Sequence, residues 1–165
     1  MRNQTMIKLP KFVSLVVSLQ LLMPAVLAAE PPWGRAQLDP IEYKPQKVVY
    51  DVSVDTVDEV ERVLDRASYL SIITGADPFE SSIVIVLHGP ELSYYAIKNY
   101  KKYQHLVDRA QSLTVGGTVR IKMCKIAAQG QGFQPEDIHG FIEMVPMGDA
   151  EIVRLQTEEA HAYMQ

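Results

Sequence analysis

The stretch "SSIVIVLHGP", Ser81 to Pro90, decides the fold class of this chain. After two serines it continues as a run of five apolar side chains, which is short for a helix and is bounded by turn residues. A strand that is apolar on both faces is typical of a parallel sheet with helices on each side, because a strand with one face in water alternates instead. We therefore predict that Ser81 to Leu87 is a buried strand that ends at His88.

Helical and strand-like segments alternate on both sides of this strand. Lys47 to Val54, "KVVYDVSV", is predicted as the first strand. A helix follows it, and its start is marked by Thr56 and Glu59 at the spacing of a capping box. Thr118 to Cys124, "TVRIKMC", alternates in polarity and is predicted as the third strand. This alternation predicts an α/β fold, a three-layer sandwich with a mostly parallel sheet flanked by helices.

The remaining segments follow the same pattern. A helix is expected from Leu92 to Leu113, followed by a glycine pair that stops it. A short helical turn is expected directly after Cys124, and Phe141 to Pro146, "FIEMVP", is expected as the fourth strand. The last helix is expected from Gly148 to Met164, with three side chains facing inward: Ile152, Val153 and Leu155.

The first 28 residues have the three parts of a secretory signal peptide. Basic residues come first, the apolar run "FVSLVVSLQLLMPAVL" follows, and small residues precede a cleavage point after Ala28. The alternative is an uncleaved anchor, but Gln20 and Pro24 interrupt the run, which is at the short limit of the ~17 to 25 residues that a spanning helix needs. We therefore expect secretion, and no stable membrane span after cleavage.

Cleavage would leave a single acidic domain. Residues 29–46 contain four prolines and are expected to form a linker or N-terminal arm, with one domain at residues 47–165. Loss of the leader removes three cationic residues and no acidic one, so the net charge of −4 becomes −7. Such a chain is a poor general ligand for nucleic acid, and no nucleic-acid partner is expected. The tyrosines of "YYAIKNYKKY" are therefore expected at an oligomer interface: Tyr94, Tyr95, Tyr100 and Tyr103.

Two side chains that can carry chemistry follow neighbouring strands of the predicted sheet. His88 comes directly after the second strand, and Cys124 ends the third. The carboxyl ends of parallel strands meet at one edge of a sheet, where open α/β sheets bind their ligands. Cys124 is the only cysteine, so it cannot form a disulfide within the chain. The expected helix start, with Lys122 and Lys125 nearby, favours a nucleophilic thiolate at this position.

Each of these residues also has a structural interpretation. Free cysteine is among the most buried residue types, so Cys124 is equally well explained as part of the core. His88 could tune the thiol or relay a proton, or it could only shape the "HGP" turn. No two histidines have a spacing suited to a shared ion, and the chain has no glycine-rich phosphate loop. Neither a metal site nor a bound cofactor is expected.

Four parts of this pattern together resemble the DsrE/DsrF-like (YchN-like) family, in its secreted branch. They are "KVVYDV", "IVIVLHGPEL", the cysteine that ends the third strand, and "VPMGDAEIVRLQ" from Val145 to Gln156. The resemblance covers Lys47 to Met164. Near its end the chain departs from the secreted relatives, which tend to have Gly-Tyr where this sequence has Ala160-His161.

This resemblance implies a sulfur carrier. Members are compact α/β sandwiches assembled as trimers or hexamers, and some carry sulfur as a persulfide on a cysteine that Cys124 would match. The implied function is that of a periplasmic persulfide carrier or relay, whose partner is a sulfur donor or acceptor protein. The resemblance favours such a carrier over an enzyme that turns over a metabolite. The alternative is a non-catalytic oligomeric binding module of the same fold, in which Cys124 is structural.

Overall fold

Five parallel strands form one sheet in the computed structural model, which describes residues 32–165. They lie in the order β4-β3-β2-β1-β5. The predicted strand around Ile83 to Leu87 is the central one, and all five of these residues are buried. The bounds of the strands are β1 (Lys47–Val52), β2 (Ser82–Leu87), β3 (Val119–Cys124), β4 (Glu143–Val145) and β5 (Ala162–Met164).

Four α-helices cover the two faces of this sheet. They are α1 (Val57–Ile73), α2 (Tyr100–Thr114), α3 (Lys125–Gly130) and α4 (Gly148–Glu158). The predicted capping box starts α1: the Glu59 amide donates to Thr56 Oγ1 at 3.3 Å, and the Thr56 amide donates to Glu59 Oε2 at 3.0 Å. Helix α3 begins directly after Cys124, as the sequence predicts.

The alternation of side chains along the strands divides the core into two parts. On one face, residues such as Tyr50, Ile85 and Ile121 pack with the buried stripes of α1 and α2. On the other face a smaller cluster joins the sheet to α4, and it consists of Val49, Val84, Val86, Ile152 and Leu155. Because helices lie on both faces, the protein is a three-layer α/β sandwich, and the predicted fold class is confirmed.

The prediction of a single helix from Leu92 to Leu113 is wrong for the first half of this segment. The chain forms two 3₁₀ segments, Pro90–Tyr95 and Ile97–Asn99, before α2 begins at Tyr100. Leu92 and Tyr95 are both fully buried, and side chains three residues apart share one face of a 3₁₀ helix. Ala96 between the segments is extended and forms an antiparallel bridge with Ile138, which a continuous helix would not allow.

The last helix is also shorter than expected, because the chain turns back and adds a strand. Helix α4 ends at Glu158, and β5 pairs parallel to β1 at the sheet edge. Ala160 makes the turn with φ of 59°, in the left-handed region. His161 is buried behind it, with Nδ1 3.2 Å from the Leu155 carbonyl and Nε2 2.9 Å from Ser82 Oγ. Of the three inward residues predicted for α4, Ile152 and Leu155 are buried, but Val153 is 57% exposed.

The N-terminal predictions lie mostly outside the described residues. The predicted signal peptide, residues 1–28, is not among them, and residues 32–46 contain no helix or strand. Pro40–Gln165 forms one compact unit. Among residues 32–165, no helix combines the length and apolar character needed to cross a membrane.

An ion cluster centred on the buried Lys122 holds α4 against β3. Lys122 of β3 donates from Nζ to Glu151 Oε1 at 2.7 Å and lies 3.3 Å from Glu143 Oε2. Arg154 binds both oxygens of the same Glu151 carboxylate, each at 2.8 Å. The hydrogen bonds from Arg154 and Lys122 outweigh burial and lower the pKa of Glu151 to about 2.

Ala160→Gly is expected to stabilise the protein. The left-handed conformation costs a residue with a Cβ roughly 1–2 kcal/mol, and glycine avoids that cost while losing more chain entropy on folding, so the net gain is about 0.5–1 kcal/mol. Urea unfolding of both proteins measures the difference. Ala162→Gly in β5, where the backbone is extended, is the matched control and should destabilise. Equal destabilisation by the two variants would contradict the assignment.

Glu151→Gln is expected to lower the free energy of unfolding at neutral pH. This deficit relative to the unaltered protein should disappear in acid. Because the pKa of Glu151 is lowered on folding, its contribution is complete above its ordinary value of 4.5 and is lost as the pH falls to about 2. At pH 7 the deficit should be on the order of 2 kcal/mol. Urea unfolding across this pH range measures it, with Glu158→Gln, whose side chain is 67% exposed, as the control. A deficit independent of pH would contradict the assignment.

Candidate functional site

Three side chains that can take part in chemistry lie at the carboxyl edge of the three inner strands, namely Asp51, His88 and Cys124. In β1, Asp51 shares a face with Val49, and His88 follows β2 on the face of Val86. Cys124 ends β3 on the face of Lys122, whose ammonium group reaches α4. All three therefore lie on the side of the sheet that α4 covers. The structure thus brings His88 and Cys124 together, as the sequence predicts.

Cys124 lies in the wall of an open pocket. Its relative exposure is 6%, so most of the residue is covered. The pocket has a volume of about 200 Å³, and its lining is His88, Cys124, Ile126, Ala127, Met147 and Asp149. Both interpretations of this cysteine therefore hold in part, because the residue packs like a core residue but borders a space that a small molecule can enter.

The start of α4 lies directly over Cys124 and His88. A Cβ atom placed on Gly148 would be 3.2 Å from the Cβ of Cys124 and 3.2 Å from the Cβ of His88. A side chain at position 148 would make tight contacts with both residues, and glycine avoids them. No side chain caps this end of α4, where Met147 is the N-cap residue. This end of α4, with its free backbone N–H groups and the positive end of its dipole, is therefore close to Cys124. The first turn of the helix also carries Asp149, whose carboxylate lines the same pocket.

His88 is held by a carboxylate that the sequence analysis missed. Its Nε2 is 2.5 Å from Asp51 Oδ1, and Tyr163 of β5 donates its hydroxyl to Asp51 Oδ2 at 2.5 Å. Burial raises the pKa of Asp51, but the hydrogen bonds from Tyr163 and His88 outweigh it and leave the pKa below its ordinary value. The hydrogen bond to Asp51 also raises the pKa of Tyr163. Both carboxylate oxygens are thus engaged, and Asp51 is ionised at neutral pH.

His88 also borders a second pocket. This pocket has a volume of about 370 Å³ and is lined by Asp51, Ser53, Val54, His88 and Gln165. His88 also lines the pocket of Cys124, so this residue is shared by the two pockets.

The "HGP" turn after β2 is fixed by packing and by a buried carboxylate. Glu91 is completely buried, and it accepts hydrogen bonds from the Gly89 amide at 2.9 Å and from the Val54 amide at 3.0 Å. Burial raises the pKa of Glu91. A Cβ on Gly89 would lie 2.4 Å from Ser53 Oγ, so no larger residue fits. Gln131 at the end of α3 donates to the Gly89 carbonyl at 2.7 Å, which ties the turn to the Cys124 side.

Other predictions around the site are corrected. Lys122 does not provide free positive charge near Cys124, because it is paired with two carboxylates. Tyr95 is fully buried and belongs to the core, so it cannot be part of an interface. Across residues 32–165, no group of three or more histidine, cysteine or acidic side chains is arranged to hold a metal ion.

A signal for Asp51 was present in the sequence. Apart from Lys47 at its first position, it is the only charged residue of the strand "KVVYDV", and it lies two positions after Val49 on the same face of the strand. A lone charge near the carboxyl end of a buried strand is a candidate for a site residue. Tyr163 gives no such signal, because the sequence predicts that its segment belongs to the last helix.

Comparisons with known proteins place the fold in a wider context. No protein-family model matches this chain, and no curated protein matches it. A solved structure that is similar to it is that of MTH1491 from Methanobacterium thermoautotrophicum, a protein of unknown function. The two chains are 23% identical, the TM-score is 0.57, and the match covers 72% of this chain and 97% of MTH1491. This similarity supports the α/β sandwich and carries no information about activity.

Proposed function

We propose that this protein is a DsrE-like sulfur carrier that holds sulfane sulfur as a persulfide on Cys124. The observation that carries the proposal is the position of the thiol, in a pocket between His88 and the uncapped start of α4. The resemblance of "LHGP" and of the strand-terminal cysteine to the DsrE/DsrF-like family agrees with it. Such a carrier is loaded with sulfur by one partner and unloaded by another, and it requires no bound cofactor.

The chemical step is a thiol exchange at sulfur. The Cys124 thiolate attacks the outer sulfur of a persulfide or polysulfide, and a new S–S bond forms at Cys124. The S–S bond of the donor breaks, and its electron pair leaves with the rest of the donor as a thiolate or a shortened polysulfide. The transferred sulfane sulfur keeps its oxidation state, the donor sulfur that leaves as a thiolate is reduced, and the sulfur of Cys124 is oxidised to the level of a persulfide, so no further oxidant is needed.

The surroundings of Cys124 suit an anionic sulfur. The N–H groups at the start of α4 stabilise negative charge close by, and this stabilisation serves the thiolate before transfer and the persulfide anion after it. Beside Cys124 the pocket is lined by the apolar residues Ile126, Ala127 and Met147 and by the polar residues His88 and Asp149, and its open side admits the sulfur donor. At about 200 Å³ the pocket is smaller than the ~300–1,000 Å³ of sites for drug-sized ligands, and it fits a short sulfur chain.

Secretion and assembly are further parts of the proposal. The N-terminal pattern of residues 1–28 supports export, and the resemblance to the secreted branch supports the periplasm as the location. The resemblance also supports a homo-oligomer, a trimer or hexamer. Tyr94, Tyr100 and Tyr103 are partly exposed, and they remain candidates for the subunit contact.

One observation favours the alternative of an oligomeric binding module with a structural cysteine, namely the 6% exposure of Cys124. Alkylation of the folded protein distinguishes the two functions. A Cys124 that reacts with iodoacetamide only after unfolding would be a core residue, and the binding module would then be the better account.

Incubation of residues 29–165 with inorganic polysulfide is expected to add sulfur at Cys124. Intact mass and peptide mapping should show increments of one or more sulfur atoms at that residue, which dithiothreitol removes. Cys124→Ser is the control that should stay unmodified. The proposal would be overturned if no adduct formed under conditions that load a known sulfur carrier.

Gly148→Ala is expected to slow this loading roughly tenfold, because the new methyl group would narrow the space between Cys124 and His88. The rate of adduct formation by mass spectrometry measures the effect. Gly116→Ala is the matched control, since a Cβ there meets no atom within 4 Å. Equal loading rates in the two variants would show that the corner under α4 is not the route of the donor.

A further inference from the structure

We propose that Asp51 and Tyr163 are positioning residues that hold His88 so that its imidazole takes up the proton of Cys124. The inference rests on the proposed function, since it supplies the thiolate that attacks the donor. It assigns a role to a chain of three side chains, Tyr163–Asp51–His88, which comes from β5, β1 and the turn after β2.

The hydrogen bonds of Asp51 define the direction of this chain. Tyr163 can only donate to an ionised carboxylate, and it does so at Oδ2, while His88 Nε2 is at Oδ1. With both oxygens engaged, the carboxylate cannot rotate without breaking a charge-assisted bond. The backbone also fixes Tyr163 relative to Asp51. In the pairing of β5 with β1, Tyr163 lies opposite Val49, which is two positions before Asp51 in β1.

The charge on Asp51 selects the tautomer of His88. An ionised carboxylate is only an acceptor, so Nε2 of His88 carries the hydrogen and Nδ1 of the neutral ring has a free lone pair. The carboxylate also stabilises the imidazolium that forms when Nδ1 binds a proton. Asp51 itself keeps its charge throughout, which agrees with its lowered pKa.

The proton that Nδ1 takes up is that of Cys124. The two residues line the same pocket, and their Cβ atoms are both 3.2 Å from the Cβ position of Gly148. No hydrogen bond joins Nδ1 and the sulfur among the described residues, so the proton passes through one water molecule in the shared pocket. The S–H bond breaks, a new N–H bond forms at Nδ1, and the electron pair stays on sulfur. The products are a thiolate and an imidazolium in neighbouring positions, each stabilised by the other.

Two other titratable side chains, Glu91 and Asp149, lie near this pair, and neither replaces Asp51. Glu91 of the 3₁₀ segment after β2 is bound to two backbone amides, and its charge acts on His88 only from beyond the turn. Asp149 of α4 lines the pocket of Cys124 without a hydrogen bond to His88 among the described residues. Tyr163 acts through Asp51. The direct partner of the imidazole is therefore Asp51 alone.

The test compares Asp51→Asn and Tyr163→Phe with the unaltered protein by two readouts. Long-range ¹H–¹⁵N NMR of the imidazole, assigned with His88→Gln, reports which ring nitrogen carries the hydrogen. The rate of Cys124 alkylation by iodoacetamide as a function of pH reports the supply of thiolate. Glu80→Gln is the matched control, because it removes one negative charge beside the start of β2, at the opposite edge of the sheet.

We expect the hydrogen on Nε2 in the unaltered protein. Asp51→Asn should move the alkylation profile to higher pH, with the rate at about pH 6 roughly tenfold lower, and Tyr163→Phe should lower it about threefold. Glu80→Gln should match the unaltered protein. A hydrogen on Nδ1, or a profile unchanged by Asp51→Asn, overturns the proposal. If Asp51→Asn fails to fold, Tyr163→Phe decides, since Tyr163 is 43% exposed.

The two proposals fail separately. Alkylation needs no sulfur donor, so altered profiles without any persulfide would refute the carrier function and leave the positioning chain standing. Persulfide formation with identical profiles in all variants would refute the positioning chain alone.

Discussion

The parallel hydrogen bonding of β1, β2 and β3 is the constraint on which the rest of the structure depends. In this arrangement the three strands end at one edge, and side chains two positions apart stay on one face. The same register therefore places Val49 and Val86 in the core under α4 and the next residues on that face, Asp51 and His88, beside each other at the edge. A shift of one residue would send them to opposite faces.

The start of α4 completes the site whose other residues come from the ends of β1, β2 and β3. Leu155 is packed on the sheet, and the ion cluster of Lys122, Glu151 and Arg154 fixes the helix in a second place. The helix start then approaches Cys124 closely, and it can do so because residue 148 is glycine. Stability and the proposed chemistry thus use the same helix, one through its buried middle and the other through its uncapped end.

Much of this arrangement could be predicted from local pattern. The apolar run at β2, the capping box of α1 and the alternation in β3 each depend on neighbouring residues, and all three are present in the structure. The predicted helix from Gly148 to Met164 failed for the opposite reason. The sequence after Glu158 remains compatible with a helix, and only pairing with β1 and burial of His161 make the chain turn at Ala160.

The sequence by itself determined the order of the first four strands and of the helices that follow them, the fold class, and the two strand ends that carry His88 and Cys124. These features follow from periodicity and turn chemistry, which act over a few residues. Only the tertiary structure decided that Asp51 and Tyr163 join His88, and that Lys122 is neutralised by α4. Tyr163 and Asp51 are separated by 112 positions. Contacts over such a distance depend on sheet order and helix placement, and no local pattern encodes either.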